Sequence, residues 1–181
     1  TKEIIEEAKS LLASEKISTD NKDSKNNEID KTKVFIVHGH DEVVKISVAR
    51  FLEKIGLTPI ILHEQANQGK TIIEKIEEYS NVGFAIVLYT PDDVGNSKRK
   101  FKDSHELLPR ARQNVVFEHG YLMAKIGRQN VCALVKDDVE KPNDISGIVY
   151  VKYDSDGGWH MELLKELKSS GYEVDANLLF N

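Results

Sequence analysis

The chain is poorest in what would cross-link it or carry it into a membrane. It has one cysteine among 181 residues, so no disulfide framework can form within it. That cysteine, Cys132, lies in an apolar run from 131 to 135, where the sequence predicts a buried strand thiol rather than a nucleophile. No apolar run approaches the roughly 18 residues of a membrane span, and the start shows no signal-peptide pattern, so a soluble cytoplasmic protein with no membrane partner is expected. The first residue is Thr1 rather than methionine, which suggests an excised or processed fragment. Positive charge is also in deficit. Against 30 acidic side chains stand 25 basic ones, a formal net charge of −5 that argues against a surface built to coat nucleic acid.

What is present is one domain's worth of alternating apolar segments behind a polar leader. Residues 1–16 place Ile4, Ile5, Ala8, Leu11 and Leu12 on one stripe of an amphipathic helix. Residues 17–32 are almost wholly polar and read as a linker. The helix is expected to bury its stripe on a sister chain or on a further domain rather than on residues 33–181.

From Lys33 onward the periodicity predicts strands at 34–37, 58–62, 83–89, 130–135 and 147–151. Helices are predicted at 41–55, 69–79, 112–126 and 158–170, with Trp159 as a core anchor. Residues 90–111 read as a long irregular connection, uncommon without function or internal structure. The expected fold is α/β and flavodoxin-like: a five-stranded parallel sheet in the order 2-1-3-4-5, flanked by helices, with its ligand crevice at the carboxyl ends of the strands.

That topology brings two segments together. One is His38-Gly39-His40-Asp41, after the first strand; the other is the helix that opens near Arg112 and carries Glu118. Glu118 falls where the apolar stripe of Val115, Leu122 and Ile126 meets a polar edge of Asn114, Tyr121 and Lys125. It reads either as a solvated helix carboxylate or as a group facing the crevice. His38, His40 and Asp41 lack the further ligands that a metal site needs, so no metal is expected. Gly39 can let backbone N–H groups approach a phosphate or ribose, while Asp41 caps the first helix, alone or in addition. Gln68-Gly69-Lys70-Thr71 lacks the first glycine of a phosphate loop, which excludes a Walker-type NTPase. Lys98-Arg99-Lys100 reads as a solvated basic run.

Four runs in order carry a family resemblance. They are Val34-Phe35-Ile36-Val37-His38-Gly39-His40-Asp41, then Glu64-Gln65-Ala66-Asn67-Gln68-Gly69-Lys70-Thr71-Ile72-Ile73, then Tyr89-Thr90-Pro91-Asp92-Asp93-Val94-Gly95, and finally the run from Arg110 to Gly120. Over residues 33–171 the chain resembles the bacterial TIR-like family of nucleotide-binding proteins, which includes effector domains of antiphage systems. The resemblance implies a TIR fold that cleaves NAD⁺ between nicotinamide and ribose when chains self-associate through TIR–TIR contacts. NAD⁺ is then substrate rather than cofactor, and an upstream sensor domain is implied. The alternative is a non-catalytic TIR adapter or nucleotide-binding regulatory module.

The family's catalytic glutamate falls on Glu118, and its nucleotide-contacting first loop on His38, Gly39, His40 and Asp41. Its mobile loop falls on Glu64, Gln65, Asn67, Gln68, Gly69 and Lys70. The His-Gly-His run departs from better-known TIR sequences, in which a Ser or Tyr followed by Arg is common. Chemically, nicotinamide leaves as a neutral group and positive charge develops on the ribose, so a carboxylate in its ordinary ionised form suffices at 118. Arg110 and Arg112, with Asn114 beside them, are expected to meet the pyrophosphate. Tyr89 or Phe117 packs on a base or fills the core, the latter being the expectation for Phe117.

Overall fold

The computed structural model describes residues 29–62, 69, 72–79, 81–98, 107–142 and 147–180. The expected helix at 1–16, the linker up to residue 28, and Glu64, Gln65, Asn67, Gln68 and Lys70 lie outside the described residues.

Strands β1 (Lys33–Val37), β2 (Thr58–Ile61), β3 (Ala85–Tyr89), β6 (Val131–Lys136) and β7 (Val149–Tyr153) form one parallel sheet in the order β2-β1-β3-β6-β7. This is the doubly wound order expected from the sequence. Every residue of β3 is buried, as a central strand covered on both faces must be. Alternate side chains sort into two cores. Val34, Ile36, Ile86, Leu88 and Leu134 meet helices α1 (Glu42–Lys54) and α4 (Trp159–Ser169), with Trp159 packed there as anticipated. Phe35, Val37, Val87, Tyr89 and Ala133 meet α2 (Ile72–Tyr79) and α3 (Gln113–Ile126) on the other face.

The connection at 90–111 is not wholly irregular. It contains a two-stranded antiparallel ribbon, β4 (Asp93–Gly95) against β5 (Leu108–Arg110), pairing Asp93 with Arg110. Runs of three residues carry too little periodicity to be read as strands. At Gly95 a Cβ would meet the Arg110 guanidinium, which lies across the ribbon at that position. The remaining elements fall within two residues of expectation, apart from α2, which starts at Ile72 rather than 69. A 3-10 segment, Ala176–Phe180, follows α4 and was not anticipated.

β1 and β3 are neighbours whose following helices lie on opposite faces of the sheet. Their carboxyl ends therefore part into a crevice, the usual ligand position in such sheets.

Candidate functional site

The crevice is real and of nucleotide-fragment size. A cavity of about 380 Å³ is lined by His38, Gly39 and His40 after β1, by Glu42 and Lys45 in the first turns of α1, and by Arg112, Asn114, Val115 and Glu118 of α3 and its entry. A larger hollow of about 600 Å³ runs along the outer face of α1 past Val43, Ile46, Arg50 and Lys54. Its lining contains no carboxylate, so the smaller cavity is where the chemistry concentrates.

Glu118 reaches this cavity because of its place on α3. Val115 and Leu122 point into the sheet at 2% and 0% exposure, which turns position 118 toward the crevice rather than toward bulk water. It is 4% exposed, and among the described residues its carboxyl has no hydrogen-bond or ion-pair partner. Burial alone raises its pKa to about 7. Burial therefore disfavours the ionised form that the chemistry needs, and the carboxyl stands near the middle of its titration at neutral pH.

The first loop is built by its neighbours. Asp41 is the N-cap of α1, its Oδ1 accepting from the Val44 N–H at 3.1 Å. Its Oδ2 pairs with Lys136 Nζ at 2.7 Å, at the end of β6. Burial pushes this carboxyl up, yet the Lys136 bond and the capped N–H outweigh it and hold the pKa below its usual value. Both oxygens are engaged in structure and Asp41 is not among the cavity's lining residues, so capping is what the side chain does here. His38 Nδ1 lies 2.8 Å from the Gly39 carbonyl, and His40 Nε2 contacts Arg112 Nη1. Gly39 lines the cavity, and a Cβ there would overlap the Asp92 carboxylate, which accepts from the His40 N–H at 3.1 Å.

Three further expectations are corrected. Tyr89 is 0% exposed, and its hydroxyl lies 2.9 Å from His119 Nδ1 in the core between sheet and α3, so it cannot stack on a base. Phe117, expected in the core, is 54% exposed, because it lies about 100° round the helix from Glu118 on the solvent side. Arg110 ends β5 and lines a separate hollow with Ala111, Gln113, Val116 and Glu140, away from Glu118. Arg112, two residues on, does face the cavity with Asn114. Arg112 is also the N-cap of α3 and supplies no side-chain cap bond, which leaves the helix's first N–H groups open to an anion. Gly69 alone represents the expected mobile loop, exposed and at φ 72°.

Sequence reasoning placed the loop His38 to Glu42 at the crevice but missed Lys45, which pairs with Glu42 at 2.6 Å on the α1 wall of the cavity. Lys45 is only 9% exposed. A signal was available: it sits beside Val44 and three residues before Val48, on the edge of the stripe that must be covered. Among the described residues, no group of three or more His, Cys, Asp or Glu could hold a metal ion, and no helix is long and apolar enough to cross a membrane.

Residues 33–155 match the family model described as CAP12/Pycsar effector protein, TIR domain. The chain belongs to that family. It is a bacterial antiphage-defence family, and its TIR fold is the one described above. The uncharacterized protein YuaY of Escherichia coli (strain K12) is 49% identical over 146 residues, 80% of this chain and 48% of YuaY. Protein tirC of Dictyostelium discoideum is 41% identical over 151 residues, 80% of this chain and 71% of tirC. CD-NTase-associated protein 12 of Sphingobacterium faecium is 29% identical over 86 residues, 48% of this chain and 25% of that protein. This TIR chain thus spans about half the length of YuaY and a quarter of the Sphingobacterium protein.

Proposed function

We propose that this TIR domain is an NAD⁺ glycohydrolase, with Glu118 as its catalytic residue and self-association as its activating step. The observation that carries the reading is a buried carboxyl, unpartnered among the described residues, in a cavity that also presents Arg112, the Glu42–Lys45 pair and a helix N-terminus without a side-chain cap bond. A cation bearing a pyrophosphate is complementary to that arrangement. Its phosphates meet the positive side, and its ribosyl pyridinium meets Glu118.

Binding a cation beside Glu118 favours the charged form, so the substrate itself draws the carboxyl to its ionised state. As the bond from ribose C1′ to the ring nitrogen lengthens, its electron pair neutralises the pyridinium and nicotinamide departs without protonation. Positive charge then gathers on C1′ and the ring oxygen, where the Glu118 carboxylate stabilises it. Water adds to C1′ and gives up a proton, which leaves ADP-ribose; attack by a group of the same nucleotide would give a cyclic product instead. TIR–TIR contacts between copies, under an upstream sensor, would complete the open side of the cavity.

The test is to follow nicotinamide release from NAD⁺ with concentrated or artificially clustered protein. Release by the wild type and its loss in Glu118→Ala, with the thermal transition retained, support the reading. Equal release by both proteins removes Glu118 from it. Binding without any release points to a nucleotide-binding regulatory module, and neither binding nor release points to an adapter.

A further inference from the structure

The run Thr90-Pro91-Asp92 follows β3 and has no part in the chemistry above, yet it makes a contact across the crevice. Asp92 stands three residues past the end of β3, and β3 is the hydrogen-bonded neighbour of β1. Its Oδ2 accepts from the Thr90 hydroxyl at 2.7 Å and from the His40 N–H at 3.1 Å, 52 residues away in sequence. Thr90 is 1% exposed, so its hydroxyl is a fixed anchor. The same carboxylate fills the space that the missing side chain of Gly39 leaves open.

His40 is held from a second side through its ring, which contacts Arg112. Both grips flank one two-stranded ribbon. Asp92 immediately precedes β4 and Arg112 follows β5 by two residues, while the ribbon between them pairs Asp93 with Arg110. The β4–β5 ribbon thus spaces the two residues that hold the His38 to His40 wall of the cavity. A substrate meets that wall already formed and does not have to order it.

We propose that Asp92 is a positioning residue for nucleotide binding, its carboxylate holding the His38-Gly39-His40 loop against the cavity through the Thr90 anchor and the space at Gly39. The inference rests on the nucleotide-binding part of the function proposed above. Asp92 does not line the cavity and acts through the loop, so its loss weakens affinity and leaves the chemical step nearly intact.

The experiment measures amide hydrogen exchange at His40 in the free protein, together with KM and kcat for NAD⁺ in the full chain. Asp92→Ala is expected to speed exchange at His40 about tenfold and to raise KM about tenfold, with kcat changed less than about threefold. Asp92→Asn, whose amide oxygen can accept the same two bonds, should return both values to within about threefold of wild type. Gly39→Ala should reproduce the Asp92→Ala phenotype by displacing the carboxylate, and the double variant should be no worse than Asp92→Ala alone.

Unchanged His40 exchange, a fall in kcat at constant KM, or additive effects in the double variant would each overturn the proposal. If Gly39→Ala does not fold, Asp92→Ala and Asp92→Asn decide the matter by themselves. Wild-type protein that binds NAD⁺ but releases no nicotinamide overturns the glycohydrolase reading only, because exchange and the NAD⁺ dissociation constant need no turnover. Absence of NAD⁺ binding overturns both.

Discussion

Glu118 and His119 are adjacent on α3, both nearly or fully buried at 4% and 0% exposure, and burial drives them in opposite directions. The carboxyl rises to about 7 and the imidazole falls to about 4, since loss of water penalises the anion of one and the cation of the other. What separates them is their company. His119 Nδ1 lies 2.9 Å from the Tyr89 hydroxyl, its ring stands edge-on to Tyr89 at 5.6 Å between centroids, and its Nε2 is buried in the core without a partner among the described residues. Glu118 has no such partner among the described residues and looks into a cavity. His119 has one of its two nitrogens engaged and is sealed from solvent, whereas the Glu118 carboxyl opens on a cavity, the setting in which a perturbed group serves function rather than stability.

The largest expected effect breaks the comparison on the Glu118 side. Glu118→Gln keeps the shape and removes the charge, and it should lower NAD⁺ turnover by roughly 10²–10³-fold, as loss of a positioned stabilising charge does. In the wild type, kcat/KM should climb about tenfold per pH unit below the free-enzyme value near 7 and flatten above it, because the ionised form is the working one. A profile flat from pH 5 to 8 would show that the carboxyl at 118 does not titrate in the free protein.

The second effect concerns stability. The folded chain holds a proton on Glu118 between about 4.5 and 7 that the unfolded chain has lost, so this residue's contribution is full below 4.5 and is lost as pH rises through 7. The stability of Glu118→Gln relative to wild type should therefore grow across that window by an amount of order 3 kcal/mol and then level off. His119 works in the opposite sense. Its buried neutral ring contributes stability above 6.5 that is lost as pH falls through about 4, and His160, also lowered mainly by burial, adds in the same direction. Between pH 4.5 and 6.5 the slopes of Glu118 and His119 oppose each other in wild type, and Glu118→Gln should unmask a stability that rises with pH. Denaturant midpoints at four or five pH values would decide this.

The parts of this molecule legible in its sequence are those written in repeating patterns. Strand order followed from apolar runs separated by helical stripes, and the candidate position of Glu118 followed from a wheel on which Val115 and Leu122 face inward. Residues that depend on one long-range contact were not legible. Nothing in Thr90-Pro91-Asp92 announces that its carboxylate will sit against Gly39, 53 positions away. Tyr89 and Phe117 were misplaced for a related reason. Both are amphipathic or apolar rings at element borders, where a turn of about 100° on a helix, or the choice of sheet face, exchanges core for solvent. Arg110 and Arg112 were read as equivalent, but the ribbon ends between them, and the two side chains enter different hollows.

The smallest expected effect sharpens the comparison from the His119 side. Tyr89→Phe removes a single hydroxyl, leaves the ring packed in the same core, and strands His119 Nδ1 without its partner, which should cost about 1–2 kcal/mol of stability. Because that hydroxyl points at His119 and not into the cavity, kcat/KM for NAD⁺ should change less than about threefold once measured well below the thermal transition. The variant discriminates because its two readouts are expected to move unequally, and in the reverse proportion to those of Glu118→Gln. If Tyr89→Phe instead lowered kcat/KM about tenfold with an unchanged thermal transition, the buried pair would have to be counted with the site. The boundary drawn here between residues 118 and 119 would then be in the wrong place.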